Sequence, residues 1–299
     1  MWFPLALITA LFWGGSDLFS KMGTDPRDKY SHLRMLIMVG AVMGIHGTVM
    51  LIVNHRAFDP MSIVRYLPVS AMYIISMAIG YVGLRYLDLS VSSPVCNSSG
   101  AVAAVLCFVF LDQSMSWVQF VAVALVVLGV ILLSVFDMKD ENKARKFRGE
   151  VIEEKYRISA IAVLLPIFYC ILDALGTFGD ALVLNRFVSE EEAEIAYEYT
   201  FLLVAVVCFI YLVFVKKQRF NLWQEREKGL GALCETAGQF SYVYAISANA
   251  IMAAPLISSY CLFSVILSRI FLKEKLTVRQ YGAIAIAICG IAIMGFFDA

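Results

Sequence analysis

The sequence predicts an all-α integral membrane protein of ten transmembrane helices, arranged as two inverted five-helix repeats. Three observations carry this expectation. The first is composition. The chain has 299 residues, 61% hydrophobic and 16% charged, with a mean hydropathy of +0.78. Soluble domains are about 45–50% apolar and about 25% charged. This chain is therefore no soluble globular enzyme, disordered chain or nucleic-acid binder. Its 24 basic and 24 acidic residues balance, so net charge points to no acidic or basic partner. The second observation is that the apolar residues fall into ten runs. The third is that the second half of the chain repeats the first.

The runs cover about 3–22, 33–53, 67–86, 93–111, 117–136, 159–184, 197–215, 229–248, 252–272 and 279–297. Each approaches the roughly 20 residues that a helix needs to cross a bilayer core. None alternates with period two, which argues against a β-barrel. The first run lacks a basic leader and a small-x-small cleavage site, and is expected to stay as a helix. It carries Trp13 and Asp17, and the second run carries His46. The third offers Tyr73, Met77 and Tyr81 along one face. The fourth opens with Ser93, Pro94, Asn97, Ser98 and Ser99. The fifth closes into a stretch at 138–157 with seven basic and five acidic residues and no apolar run, read as a solvated connector. The sixth carries Tyr169 and Asp173, with Asp180 nearer its end. Glu198 stands at the start of the seventh. The eighth places Glu235, Gln239 and Tyr242 at i, i+4 and i+7, a polar stripe on one face. The ninth opens with Pro255, Ser258, Ser259 and Tyr260, and the tenth closes the chain. Pro94 and Pro255 are read as first-turn prolines with an architectural role. All seven cysteines lie in these runs and are read as buried apolar thiols, not disulfides or metal ligands.

Shifting the sequence by 161 residues superposes Pro94 on Pro255, Ser98 on Ser259 and Phe110-Leu111 on Phe271-Leu272. Gln119 then meets Gln280, Ala124 meets Ala285, Gly129 meets Gly290, and Phe136-Asp137 meets Phe297-Asp298, without a gap. Tyr81 meets Tyr242 at the same offset. Earlier in the halves an offset of 156 pairs Phe12-Trp13 with Phe168-Tyr169, and Asp17 with Asp173. The expected units are 1–137, the polar linker 138–157, and 158–299. Five spans are an odd number, so the second copy crosses the membrane upside down relative to the first. Such inverted repeats set a site near the midplane, at the repeat interface.

Basic residues mark the cytoplasmic loops. Only Arg56, Arg65 and Arg186 of the 24 fall on the side reached by the loops after even-numbered spans. The charge bias therefore expects both termini outside the cytoplasm and the 138–157 linker inside.

Phe12-Trp13-Gly14-Gly15 in the first span, with Lys21 at its end, resembles the drug/metabolite transporter superfamily, EamA type. So do Ala254-Pro255-Leu256, the run Phe271-Leu272-Lys273-Glu274-Lys275-Leu276-Thr277, and Gln280-Tyr281-Gly282. The first half departs from that pattern at Asp112-Gln113 and Val121. The resemblance covers the whole chain. It implies a transporter of small metabolites, amino acids, drugs or nucleotide-sugars, with spans one, three, four, six, eight and nine around a central cavity; P-loop and nucleotide-binding signatures are absent from the sequence, so secondary coupling is expected. It also implies cytoplasmic termini, the reverse of the charge bias.

An ionised side chain at a helix centre costs roughly 2.5–3.5 kcal/mol on insertion scales. The deep polar residues therefore need a partner, a cavity or a function. The candidate substrate-binding set is Trp13, Asp17, Tyr73, Tyr81, Asn97, Tyr169, Asp173, Glu235, Gln239, Tyr242 and Tyr260. Asp17 follows Trp13, and Asp173 follows Tyr169, by four residues, so each acid shares a helix face with an aromatic. Each member has a structural alternative. Asp17 could bond Ser20, Lys21 or another helix, and intramembrane hydrogen bonds of that kind are usual. Tyrosines near span ends often form an interfacial belt. For His46 a structural or interfacial role is the expectation. Asp180 and Glu198 are expected to reach water from the span ends.

Acids and aromatic faces without a comparably deep Lys or Arg suit a cation. The expected substrate is a small organic cation, an amine or an amino acid. Protons are a candidate coupling ion, carried by the same acids. No cofactor, metal or nucleic-acid partner is expected. The partners are the substrate and the lipid bilayer. A lipid-handling flippase of the same superfamily is the alternative. An intramembrane enzyme fits less well, because there are three histidines, no HExxH and no protease-type signature around the aspartates.

Overall fold

The computed structural model describes residues 1–24, 28–53, 58–86, 96–111, 114–148, 160–184, 186–273 and 275–297, without the side chains of 81–86, 137–138, 141–148 and 160–163. Among the described residues lie ten α-helices: α1 (Trp2–Gly23), α2 (Ser31–Val53), α3 (Met61–Tyr86), α4 (Ser99–Phe110), α5 (Trp117–Arg148), α6 (Ala160–Val183), α7 (Glu190–Ile210), α8 (Arg226–Ile257), α9 (Tyr260–Phe271) and α10 (Val278–Phe296). A π-helical turn, Tyr211–Val215, extends α7. Among the described residues, eight segments are long and apolar enough to cross a membrane, while α4 and α9 are shorter. Pro94 and Ser93 lie outside the described residues.

Helix starts depart from the hydropathy boundaries where a cap decides. Helix α3 begins six residues before the apolar run, because Asp59 caps it: Oδ1 accepts from Met61 N at 3.0 Å and its carbonyl accepts from Ser62 N at 2.9 Å. Helix α7 begins at Glu190, where the Ser189 side chain accepts from Glu192 N. Its acidic first turn (Glu190, Glu191, Glu192) lowers hydropathy but suits the positive helix N-terminus. Helix α5 continues to Arg148, so the first part of the 138–157 stretch is helical.

The start of α10 is a capping box, in which Thr277 and Gln280 bond each other's backbone N–H. The start of α5 carries the same reciprocal pair: Ser116 N donates to Gln119 Oε1 at 2.9 Å, and Gln119 N to Ser116 Oγ at 3.3 Å. These four residues are the repeat mates at offset 161. The two glutamines found in the sequence motif are therefore capping groups.

Two further features recur at that offset. The chain breaks its helix at Asn97–Ser98 before α4, and again at Ser258–Ser259 before α9. Gly129 of α5 lies against the Ala283 and Ala287 backbone of α10, and Gly290 lies against the Ala122 and Val126 backbone of α5. A Cβ on Gly129 would sit 2.7 Å from Ala287 N, and one on Gly290 2.9 Å from Val126 N, so both helices approach at bare backbone. Pro255 sits within α8, not in a first turn. Asn249 has non-helical angles (φ −163°, ψ 83°) and its Oδ1 accepts from Met252 N, restarting the helix six residues before the proline.

Helix α1 packs on α8 and α9, and α6 packs on α3 and α4. Helix α2 packs on α7 and α8, α7 also packs on α3, and α5 packs on α10. Exchanging the first five helices with the second five maps α1–α8 onto α6–α3, α1–α9 onto α6–α4 and α2–α8 onto α7–α3, and maps α2–α7 and α5–α10 onto themselves. Exposed apolar residues cover the outside, including Ile45, Val49 and Ile52 on α2, Leu203, Val206 and Val207 on α7, and Phe108 and Phe110 on α4. Such continuous apolar patches suit lipid and not water.

Candidate functional site

Between α1, α3, α6, α7, α8 and α9 lies a cavity of about 250 Å³. Helix α1 contributes Trp13, Ser16, Asp17 and Ser20; α3 contributes Tyr73, Met77 and Gly80; and α6 contributes Pro166, Tyr169, Asp173 and Thr177. Helix α7 adds Tyr197, and α8 adds Glu235, Gln239 and Tyr242. Cys96, Asn97, Ser258 and Tyr260 come from the two helix breaks and the start of α9.

Ten of the eleven residues singled out in the sequence therefore face one space. Tyr81 is on α3, but its side chain lies outside the described ones. The reason is periodicity. Trp13 and Asp17 are one turn apart, as are Tyr169 and Asp173, and Glu235, Gln239 and Tyr242 follow a single face over two turns.

The aromatic wall is built around Tyr242. Trp13 stacks on it with ring centroids 5.2 Å apart and planes at 24°. Tyr73 meets it edge-on at 5.9 Å, and the two hydroxyls are hydrogen-bonded. Tyr260 stands edge-on to Trp13 at 6.2 Å, and Tyr197 edge-on to Tyr73 at 6.2 Å. Tyr169 and Tyr260 are hydrogen-bonding neighbours.

The acids are spread around this wall. Asp17 accepts a hydrogen bond from Ser264 of α9 and has Lys21 as its nearby cation. Asp173 is bonded by Ser99, and Glu235 by Ser16. Glu235 feels the charges of both Asp17 and Asp173. All three side chains remain accessible from the cavity, and none of the described lining residues is Lys or Arg.

Two donors in the wall have no partner. Trp13 Nε1 and Gln239 Nε2 are buried and make no hydrogen bond. Unmet buried donors cost about 1–3 kcal/mol each, and here both belong to residues that line the cavity. Asn97 is different, since its Nδ2 donates to Ser134 Oγ at 3.0 Å.

Asp180 corrects the expectation that it reaches water from the end of its span. It is fully buried and accepts from Tyr66 Oη and, at 2.9 Å, from Tyr242 Oη. Tyr73 Oη in turn donates to Thr177 Oγ1 at 3.0 Å. This network beneath the cavity escaped sequence reading. A signal was present: Asp173, Thr177 and Asp180 follow the same i, i+4, i+7 spacing as Glu235, Gln239 and Tyr242. Glu198 is likewise fully buried, and its Oε1 lies 2.7 Å from Nδ1 of His46, away from the cavity.

Comparison with known proteins adds two findings. The model of the EamA-like transporter family matches residues 1–135 and 158–296. A solved structure described only as "Crystal structure of protein" is similar with a TM-score of 0.69 and 11% sequence identity, over 97% of this chain and 98% of that one. At that identity the likeness concerns the fold alone. No curated protein matches the sequence.

Proposed function

Because the chain belongs to the EamA-like transporter family, a family of membrane transporters, we propose that it moves a small amine or amino acid through the central cavity by alternating access. The carrying observation is the mixed chemistry of the cavity wall. Asp17, Asp173 and Glu235 supply negative charge, Trp13, Tyr169, Tyr242 and Tyr260 supply aromatic faces, and no described lining residue is cationic. An ammonium group is attracted both to carboxylates and to aromatic faces. An anionic substrate such as a nucleotide-sugar would find no counter-charge.

The unpartnered Trp13 Nε1 and Gln239 Nε2 are buried in the cavity wall, and favour a substrate whose binding turns these side chains towards an acceptor at its other end. A carboxylate or carbonyl satisfies both donors while the ammonium lies on the acids. A zwitterionic amino acid meets both requirements, and a simple amine only the first.

Two inverted repeats, residues 1–137 and 158–299, supply the mechanism. The paired helix contacts, the matching breaks at Asn97–Ser98 and Ser258–Ser259, and the reciprocal Gly129 and Gly290 contacts support such a symmetry. Halves of the same design can exchange conformations about a fixed midplane site, opening it to one side and then the other. The carboxylates in the cavity also suit proton coupling, since a proton and an ammonium compete for the same oxygens. The charge bias of the loops supports termini outside the cytoplasm and the linker inside.

The test is uptake into proteoliposomes of labelled amines, amino acids and nucleotide-sugars, by wild type, Asp17→Asn and Asp173→Asn. The reading expects uptake of ammonium-bearing solutes, with each variant at least about tenfold slower. It is refuted by preference for the anionic solutes, or by both variants moving the wild-type substrate at the wild-type rate with the same pH dependence.

A further inference from the structure

Outside the central cavity, α2 and α7 enclose a second polar cluster. His46 of α2 faces Glu194 and Glu198 of α7, which lie one helical turn apart on one face. Glu198 is fully buried, Glu194 is 2% exposed, and His46 is 31% exposed. His46 Nδ1 lies 2.7 Å from Glu198 Oε1 and 4.0 Å from Glu194 Oε1. None of the three lines the transport cavity.

We propose that His46, Glu194 and Glu198 form a binding site for a divalent first-row transition-metal ion, of which Zn²⁺ is the representative, at the α2–α7 interface. Three observations lead to it. One donor atom from each residue falls within 4.8 Å of the others. Ligand atoms around a four-coordinate ion with bonds of about 2.0–2.2 Å stand roughly 3.3–3.5 Å apart, so side-chain adjustments of under about 1 Å close the site. Second, Glu194 Oε1 and Glu198 Oε2 are buried with no hydrogen-bond partner. Buried carboxylate oxygens are ordinarily paired or bound to metal. Third, the charges balance: two carboxylates, a neutral imidazole and a divalent ion sum to zero, which lowers the cost of burial.

The donor set selects the ion class. An imidazole nitrogen with two carboxylates suits Zn²⁺ and its first-row neighbours, while Mg²⁺ and Ca²⁺ prefer all-oxygen shells. His46 stands seven residues before the end of α2 at Val53, and Glu194 four residues after the start of α7 at Glu190. The cluster is therefore roughly 6–10 Å below the helix ends. The half-exposed imidazole edge gives the ion its way in and leaves a coordination position for water. A bound ion would tie α2 to α7, one helix from each half of the chain. The site does not depend on the identity of the transported solute.

The experiment uses the full chain in detergent micelles, freed of metal with chelator. Zn²⁺ binding is followed by calorimetry, and Co²⁺ binding by its visible absorption bands. Wild type is expected to take up one equivalent of either ion, with Zn²⁺ displacing Co²⁺. His46→Ala, Glu194→Gln and Glu198→Gln are each expected to weaken binding by at least about tenfold, given that even outer-shell changes cost 10–100-fold. Asp17→Asn is expected to leave it unchanged. His46→Cys keeps a ligand at the same place, and is expected to retain Co²⁺ with a new thiolate-to-cobalt absorption band, separating ligand loss from misfolding. The proposal is overturned if wild type binds no Zn²⁺ above a micelle blank, or if the three ligand variants bind it as tightly as wild type.

Discussion

The indole of Trp13 lies stacked on the phenol of Tyr242, with centroids 5.2 Å apart and planes 24° from parallel. One ring belongs to α1 and the other to α8, so the stack spans the two halves of the chain. Tyr242 also donates to the buried Asp180 at 2.9 Å. The aromatic wall of the cavity is thereby anchored to an acid beneath it.

Trp13 has two separable properties, its ring and its unpartnered N–H. Trp13→Phe keeps a ring against Tyr242 and removes the donor. It is expected to raise the KM for an amino acid about 3- to 10-fold, the equivalent of about 0.5–1.5 kcal/mol for one hydrogen bond, and to leave a simple amine unaffected. Trp13→Ala loses both and is expected to raise KM for either solute. Comparative uptake of an amino acid and its decarboxylated amine measures the difference.

Asp180 holds the hydroxyls of Tyr66 and Tyr242. Tyr66→Phe leaves one buried carboxylate oxygen without its donor. Such a loss costs about 1–3 kcal/mol, and thermal unfolding in micelles is expected at a temperature lower by several degrees. Asp180→Ala strands the Tyr66 hydroxyl, leaves the Tyr242 hydroxyl with Tyr73 alone and empties the space of the carboxylate, and is expected to lower it further.

Gln119 and Gln280 are capping residues in matching positions. Gln119→Ala and Gln280→Ala are each expected to cost about 1 kcal/mol of stability and to leave the KM for substrate unchanged. Denaturation and uptake measured on the same preparations check both halves of this statement.

Gly129 and Gly290 make reciprocal backbone contacts between α5 and α10. Leucine at either position forces the two helices apart. Overpacking of this kind costs about 1–3 kcal/mol, and the two single variants are expected to lose similar stability. The double variant is expected to lose less than their sum, because one separation of the helices accommodates both side chains. Thermal unfolding of the three variants measures this.

The all-helical membrane fold and the cavity lining were largely legible in the sequence, for one reason. Helical periodicity places residues four and seven apart on one face, so Trp13 with Asp17 and Glu235 with Gln239 and Tyr242 identify their own surface before any packing is known. What stayed hidden depended on helix ends. Hydropathy starts the third span at 67, but the Asp59 cap starts α3 at Met61, which carries Tyr66 to the depth of Asp180. The acidic turn Glu190–Glu192 masks the start of α7, so Glu198 looks like a residue near water when it is buried, and Glu194 falls outside the apolar run altogether. The partner of Asp17, Ser264, lies 247 residues away in sequence, and no local pattern announces it.

Binding of one amino acid and of its decarboxylated amine to the purified protein, compared between wild type, Asp173→Asn and Gln239→Leu, tests the central claim most directly. In wild type the amino acid is expected to bind tighter than the amine. Asp173→Asn is expected to weaken both ligands about tenfold or more. Gln239→Leu is expected to weaken only the amino acid, erasing the preference. Equal affinities for the two ligands in wild type, or an Asp173→Asn protein that binds both as wild type does, would contradict it.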